Sequence, residues 1–271
     1  MEGKILTEDE LREVQLSIIN QFDEFCKINQ IQYFLAFGTL LGAIRHNGFI
    51  PWDDDVDIVL TRPEYEKLAQ FTQISDNIKI VTHNYTHGYW HPFTHMNLAD
   101  THTIMKETFV KKQTGKGVFV DIFVIDGLPD NKIKQKIHCK KLLYIRGLLR
   151  YSVASLLPAN SIRNIIKNAM FLICRIFNPD KLINKIDSLS KKYNFKESNY
   201  VSILNALPKN YESFIYEKKW FSKAVHHTFE EKSYFIPKDY NEVLTRTYKD
   251  YMTPPPVSEQ VNHHGVIYEW K

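Results

Sequence analysis

The sequence predicts a mixed α/β (α+β) domain, in which a mixed sheet is flanked by helices and interrupted by a basic helical insertion. Three observations predict it. Short apolar segments typical of strands alternate with segments whose apolar residues recur every three or four positions. Two of the strand-like segments carry aspartates beside their apolar runs. Between positions 131 and 178 there is no Asp or Glu, whereas Lys, Arg and aliphatic residues are frequent.

The first predicted element is a helix from Asp9 to Lys27. Thr7 and Glu10 form a capping box at its start, and apolar side chains follow at spacings of three and four residues. Glycine, proline and turn residues then divide the chain into shorter segments. These segments predict, in order, a strand over 31–37, a short helix in L-L-G-A-I-R, a strand over 56–60, a helix from Pro63 through Ala69, two or three strands between 78 and 106, and a strand over 118–126.

The composition changes after Asp130. The acid-free segment alternates basic residues with aliphatic ones and predicts amphipathic helices. We therefore predict a core formed by 1–130 and 196–271, with a basic amphipathic helical insertion over 131–195. In the second part of the core, we expect a strand over 201–204 and a helix in K-D-Y-N-E-V-L-T-R-T-Y.

The basic segment has two interpretations. It is either a helical subdomain with a solvated cationic face or a surface for an anionic membrane, which basic amphipathic helices bind. For the second interpretation, the predicted membrane contacts are Lys140, Lys141, Arg146 and Arg150. A nucleic-acid partner is not expected, because no recognition motif accompanies the cations.

The chain contains no segment that predicts export or membrane insertion. Its N-terminus is acidic and lacks the apolar core of a signal peptide, and its apolar runs are too short and too charged to span a bilayer. The 3 cysteines are scattered and lack C-x-x-C spacing. These features predict a cytoplasmic protein with reduced thiols.

Four aspartates fall within five positions in P-W-D-D-D-V-D-I, directly before an apolar run. Side chains at i and i+2 of a strand point to the same side, so Asp55 and Asp57 project together. Asp121 lies within the strand-like segment V-F-V-D-I-F. Three such carboxylates are suited to Mg²⁺ or Mn²⁺, and we predict that they are catalytic and hold two ions. One alternative for the aspartate cluster is a solvated turn that caps a helix. For Asp121, a separate alternative is a buried acid paired with an arginine.

A second set of residues predicts phosphate binding. Gly38 and Thr39 come where a strand gives way to a helix, and backbone N–H groups at a helix start cradle phosphate. Arg45 and His46 follow and can contact phosphate oxygens, although surface positions at a helix end are the alternative. Asp53 precedes the metal pair and is predicted to tune it or to act as an outer ligand.

The order of these motifs resembles the nucleotidyltransferase fold. The stretch F-G-T-L-L-G-A-I-R-H-N-G-F-I-P-W-D-D-D-V-D-I is more closely similar to the LicD family of phosphotransferases, which includes bacterial phosphorylcholine transferases and fukutin-related enzymes. Y-W-H-P-F-T-H-M-N-L, V-D-I-F-V-I-D-G and the tail Y-K-D-Y-M-T-P-P-P extend the resemblance. It implies that Asp55 and Asp57 bind metal, with Asp121 as the third acid. Two departures are Thr39 in place of serine and His95 in place of lysine.

The resemblance also implies a function. The implied function is metal-dependent transfer of a phospho-alcohol to a hydroxyl of a lipid-linked cell-surface glycan precursor (teichoic acid, lipopolysaccharide or capsule). The expected group is phosphocholine, donated by CDP-choline. The enzyme would work at the inner face of a bacterial membrane. His95 and His263 are predicted substrate contacts. Tyr89 and Trp90 form a candidate cage for a quaternary ammonium, with core packing as the alternative.

Two other functions are compatible with the same motifs. One is a nucleotidyltransferase that joins NMP to a sugar or alcohol. The other is a non-catalytic protein that binds membranes or polyanions.

Overall fold

The computed structural model describes residues 4–86, 88–91, 94–98, 101–104, 117–261 and 267–270. The first helix, α1 (Glu8–Ile28), confirms the predicted N-terminal helix and its capping box, because the Thr7 and Glu10 side chains each accept from the other's backbone N–H. The elements that follow up to the insertion are β1 (Phe34–Leu35), α2 (Phe37–His46), β2 (Asp57–Thr61), α3 (Arg62–Leu68), β3 (Gln73–Ser75), β4 (Ile78–Val81), β5 (Thr94–Leu98), β6 (Thr101–Ile104) and β7 (Phe119–Leu128).

The remaining elements are α4 (Lys132–Ser152), α5 (Ile162–Cys174), α6 (Pro179–Ser190), β8 (Tyr200–Ser202), β9 (Ile215–Glu217), β10 (Ala224–Phe229), β11 (Lys232–Pro237), α7 (Tyr240–Tyr248) and β12 (Ile267–Trp270). They include α4 and α5, which confirm that the acid-free segment is helical. No helix of the described chain has the length and apolar composition needed to cross a bilayer.

A mixed sheet organises the core. Its strand order is β1-β2-β7-β5-β4-β3, and β8 and β9 extend it from the far end of β7. β2 and β7 run parallel, whereas the other pairs in this sheet are antiparallel. β7 is central because it pairs with β2 on one side and with β5 on the other, and its residues Val120, Ile122 and Ile125 are buried in the main apolar cluster. The predicted α/β class with a mixed sheet flanked by helices is confirmed.

Two differences from the predicted elements bear on the site. The strand expected over 31–37 is only two residues long, because α2 begins at Phe37 and contains Gly38 and Thr39 in its first turn. The β10–β11 hairpin was not predicted. Its strand A-V-H-H-T-F lacks a clean alternation of apolar and polar residues, and its turn residue Glu230 supports the loop before the aspartates by accepting from the Phe49 N–H.

Helices α4 and α6 pack around a second apolar cluster, and α5 contacts α4. Leu142, Leu149 and Ile186 meet Leu204 and Leu207 of the chain that follows. The helices leave the sheet after β7 and the chain returns as β8, which pairs directly with the end of β7. A separate insertion over 131–195 stays a prediction, since the second cluster also includes residues outside those limits.

A buried ion pair lies where β7 approaches the helices. Arg62 donates to both carboxylate oxygens of Asp126, from Nε at 2.6 Å and from Nη2 at 2.7 Å. Asp187 of α6 lies 3.8 Å from the same guanidinium. This cluster therefore joins α3, β7 and α6.

Replacing Arg62→Met should lower the free energy of unfolding by about 3–5 kcal/mol at neutral pH, because Asp126 is left buried without its cation.

Burial raises the pKa of Asp126 to about 6 even beside Arg62. Since this pKa lies above the ordinary value of about 4, the stability contribution of Asp126 falls as the pH rises through that window. Without Arg62 the pKa of Asp126 rises further, so the deficit of the variant should grow as the pH rises above about 6, from pH 6 to pH 8. Urea unfolding across this range measures it, and a deficit independent of pH would contradict the assignment.

Candidate active site

Three carboxylates meet where the two parallel strands begin. Asp57 is the first residue of β2 and lies in register with Asp121 of β7, whose N–H donates to the Val56 carbonyl at 2.9 Å. Asp55 lies two residues before Asp57. One oxygen of each carboxylate lies within 4.8 Å of the others. The structure thus brings together the three acids that the sequence predicted.

This donor set fits a divalent cation. Burial raises the pKa of the Asp57 carboxyl, and the charges of Asp55, Asp121 and Asp53 raise it further. A hard cation among these oxygens would turn that repulsion into attraction, and carboxylate oxygen is the ligand that Mg²⁺ and Mn²⁺ prefer. An acidic turn in water does not account for Asp57, which is only 8% exposed.

Thr39 positions the Asp57 backbone. Its buried hydroxyl oxygen accepts a hydrogen bond from the Asp57 N–H at 2.8 Å. The Asp57 carbonyl accepts from the Ala36 N–H at 3.0 Å, so both backbone groups of Asp57 are held by the start of α2. The sequence predicted that Thr39 contacts phosphate, and its contact with Asp57 adds a role that spacing alone did not show.

Replacing Thr39→Val should lower metal-dependent activity about 10- to 100-fold, because it removes a group that orients a candidate metal ligand. It should also cost about 1–3 kcal/mol of stability, since the buried Asp57 N–H loses its acceptor. The matched variant Thr39→Ser keeps the hydroxyl and should retain most activity. Parallel kinetics and urea unfolding test this pair, and equal losses in both variants would exclude the hydroxyl as the cause.

Gly38 allows Asp53 to approach the first turn of α2. A Cβ at position 38 would overlap Asp53 Oδ2 and lie 3.2 Å from Asp53 Cγ. The helix start is the positive end of the helix dipole and favours a carboxylate there. The contact of Asp53 explains why position 38 carries no side chain, while phosphate binding by Gly38 stays a prediction.

The loop that carries the aspartates is held from outside the sheet. Arg12 and Gln15 of α1 donate to the carbonyls of Pro51 at 3.0 Å and Asp54 at 2.8 Å. The sequence predicted α1 as a packing helix and did not indicate this role. Its polar residues hold the acidic loop in place.

Three tyrosines lie near the acids. Burial raises the pKa of each hydroxyl, and nearby carboxylates raise it further: Asp121 acts on Tyr89, Asp57 acts on Tyr248, and Asp54 and Asp121 act on Tyr268. The sequence did not single out Tyr248 and Tyr268 as site residues. The only available signal was that Tyr248 opens the tail motif Y-K-D-Y-M-T-P-P-P.

Comparison with known proteins agrees with this geometry. Residues 30–144 match the family model described as LicD/FKTN/FKRP, nucleotidyltransferase domain. The chain is 29% identical over 270 residues to the lipopolysaccharide cholinephosphotransferase LicD of Haemophilus influenzae, covering 96% of this chain and 97% of that protein. Together these two matches support a LicD-family phosphotransferase.

Shorter similarities link the chain to two rickettsial proteins described as uncharacterized. The protein of Rickettsia prowazekii is 32% identical over 107 residues, covering 38% of this chain and 35% of that protein. The protein of Rickettsia typhi is 46% identical over 55 residues, covering 19% and 18% of the two chains. Neither match adds a function.

Arg45 and His46 lie within the LicD motif and have structural contacts of their own. Arg45 Nη1 donates to the Tyr251 carbonyl at 2.9 Å, which ties α2 to the tail. The His46 ring lies edge-on to Trp52, with centroids 6.1 Å apart. Burial lowers the pKa of both side chains. Phosphate contact by either residue stays a prediction.

The aromatic cage predicted from Tyr89 and Trp90 stays a prediction, and both side chains have packing contacts. Tyr89 is buried, at 3% exposure, which agrees with core packing. Trp90 packs against the second cluster, and its indole N–H donates to Asp180 at 3.2 Å. The backbone of His95 lies opposite Asp121 across β5 and β7. His263 lies outside the described residues.

The four predicted membrane contacts are not equivalent. Lys140, Lys141 and Arg150 are exposed. Arg146 turns inward and donates to the Leu207 carbonyl, and burial lowers its pKa to about 10. Its guanidinium therefore holds α4 to the chain after the insertion and does not face outward as predicted.

Proposed function

We propose that this chain transfers a phospho-alcohol, most specifically phosphocholine from CDP-choline, to a hydroxyl of a lipid-linked glycan precursor. The observation that carries the proposal is the cluster of Asp55, Asp57 and Asp121 on two parallel strands, with oxygens within 4.8 Å of one another. The named activity of the Haemophilus relative supports the choice of donor and of a lipopolysaccharide acceptor. Teichoic acid and capsule precursors are the other acceptor classes.

The three aspartates are proposed to hold Mg²⁺ or Mn²⁺, with room in the donor set for two ions. When bound, the cations would neutralise the pyrophosphate of the donor and lower the pKa of the attacking hydroxyl. Thr39 keeps Asp57 in position through its backbone N–H. We assign Asp121, the third acid, as the acceptor of the hydroxyl proton.

The proposed reaction exchanges one bond for another. The acceptor oxygen attacks the phosphorus that carries choline, and a new phosphate ester bond forms. The anhydride bond to CMP breaks, and CMP leaves with the electron pair. The proton of the hydroxyl passes to Asp121 and then to water.

A CMP-release assay tests the proposal. The chain is incubated with Mg²⁺, acceptor-rich membranes and a panel of CDP-choline, CDP-ethanolamine, CDP-glycerol and CDP-ribitol. We expect CMP release with CDP-choline and labelled choline on the glycan. No turnover of any CDP-alcohol would overturn the proposal. Transfer of NMP from a nucleoside triphosphate in a parallel incubation, with release of pyrophosphate, would replace it with nucleotidyl transfer.

The proposed acceptor places the enzyme at the inner face of the bacterial membrane. Lys140, Lys141 and Arg150 of α4 are exposed cations that agree with peripheral binding to an anionic surface. If the chain were instead a non-catalytic membrane-binding protein, Asp57→Asn would leave its function intact.

A further inference from the structure

The helix α5 presents its apolar side to solvent. The residues Ile162, Ile166 and Ile173 follow one another on a single face and are 77%, 56% and 64% exposed. The helix buries only Phe171 and Cys174. This orientation is the reverse of an ordinary surface helix, whose apolar face packs on the core.

The polar side chains of α5 fix this orientation. Asn168 exchanges two hydrogen bonds with the Leu157 backbone, as acceptor at 2.8 Å and as donor at 2.9 Å. Asn164 donates to the Pro158 carbonyl and to Asn160 Oδ1, both at 2.9 Å. Rotating the apolar face inward would break these four bonds. The outward isoleucines are therefore a stable feature of the fold.

The charges around α5 identify the partner. Arg163 and Lys167 belong to the same helix, and residues 131–178 contain no Asp or Glu. An anionic bilayer complements both the apolar face and the cations, because its interior is apolar and its headgroup layer is negatively charged. A symmetric dimer through α5 would bring the cations of the two copies together, and they would repel because the segment supplies no acid to pair with them. At 13 residues, α5 is too short to span a bilayer and fits the plane of its interface.

We propose that α5 is a membrane-docking helix that lies in the headgroup region of an anionic bilayer, with Ile162, Ile166 and Ile173 inserted. This deepens the proposed function, since it rests on an acceptor carried by a membrane lipid. In this proposal the main contact with the membrane is the apolar face of α5, not the cations of α4. The α4 cations Lys140 and Lys141 add attraction that salt weakens.

Co-sedimentation of the full chain with vesicles tests the proposal. We expect binding to phosphatidylcholine vesicles that contain phosphatidylglycerol and much weaker binding to phosphatidylcholine alone. The triple variant Ile162→Gln, Ile166→Gln, Ile173→Gln should reduce partition on the order of a hundredfold, while Gln preserves helix propensity. Unchanged far-UV circular dichroism and thermal unfolding show that the variant folds.

A matched pair of single variants separates insertion from general surface apolarity. Ile162→Gln should weaken vesicle binding about fivefold, whereas Ile28→Gln, at an 80% exposed residue on α1, should not. Equal effects of the two variants, or no binding to anionic vesicles, would overturn the proposal. So would a dimer in vesicle-free buffer that the triple variant converts to monomer.

The partition measurement uses no CDP-alcohol, so it is independent of catalysis. If partition depends on α5 but no CMP is released, the docking proposal stands and the proposed function fails. If CMP is released in the presence of a detergent-solubilised acceptor but vesicle binding does not depend on α5, only the docking proposal fails.

Discussion

Asp57→Asn is expected to reduce phospho-alcohol transfer on the order of a thousandfold. The residue is buried, lies in register with Asp121 and offers one of the three clustered carboxylates. Loss of one of the proposed metal ligands would remove several kcal/mol of charge stabilisation from the transition state, and each 1.4 kcal/mol corresponds to about tenfold in rate. The steady-state rate of CMP release measures the effect.

The same substitution should have the opposite effect on stability in a chelator. Burial and three neighbouring carboxylates raise the pKa of Asp57. Without a cation, the stability contribution of this carboxyl therefore falls as the pH rises above the ordinary range of an aspartate. We expect Asp57→Asn to be at least as stable as the parent in EDTA at neutral pH. It should also lose the rise in Tm that Mg²⁺ or Mn²⁺ gives the parent.

Asp54→Asn is the matched control, because it makes the same change of charge in the same loop outside the cluster. It should retain activity within about tenfold of the parent and keep the metal-dependent rise in Tm. A large rate loss in Asp54→Asn with little loss in Asp57→Asn would contradict the ligand assignment.

Gly38→Ala is expected to reduce activity about a hundredfold or more. The new methyl group would overlap Asp53 Oδ2, and Asp53 must move away from the start of α2. The acidic loop moves with it, and displacements of about 1 Å at a reacting centre cost about this much. Steady-state kinetics measure the loss, and a Mg²⁺ titration by Tm reports whether the metal site has moved.

Gly147→Ala on α4 is the control for this substitution. A Cβ there meets no atom within 4 Å, so the change should stabilise the chain by about 0.5–1 kcal/mol, as alanine does in a helix interior, and leave activity intact. If Gly38→Ala behaves like Gly147→Ala, the approach of Asp53 has no functional role.

Local patterns were sufficient to predict most elements. The capping box and apolar spacing located α1, and apolar runs located β2 and β7, because both signals depend on residues close together in the chain. The β10–β11 hairpin was missed since its strands are partly exposed and lack clear alternation. The inward turn of Arg146 was also missed, because its acceptor Leu207 is distant in the chain.

The sequence by itself determined the class of the fold, the order of the motifs and the three acids, since D-x-D spacing and strand composition are local properties. Only the tertiary structure decided which side chains support those acids. The parallel pairing of β2 and β7 brings Asp57 beside Asp121, and α2 folds back so that Thr39 holds Asp57 and Gly38 receives Asp53. It also decided that α5 turns its apolar face outward. These contacts join residues far apart in the chain, and packing, not spacing, sets them.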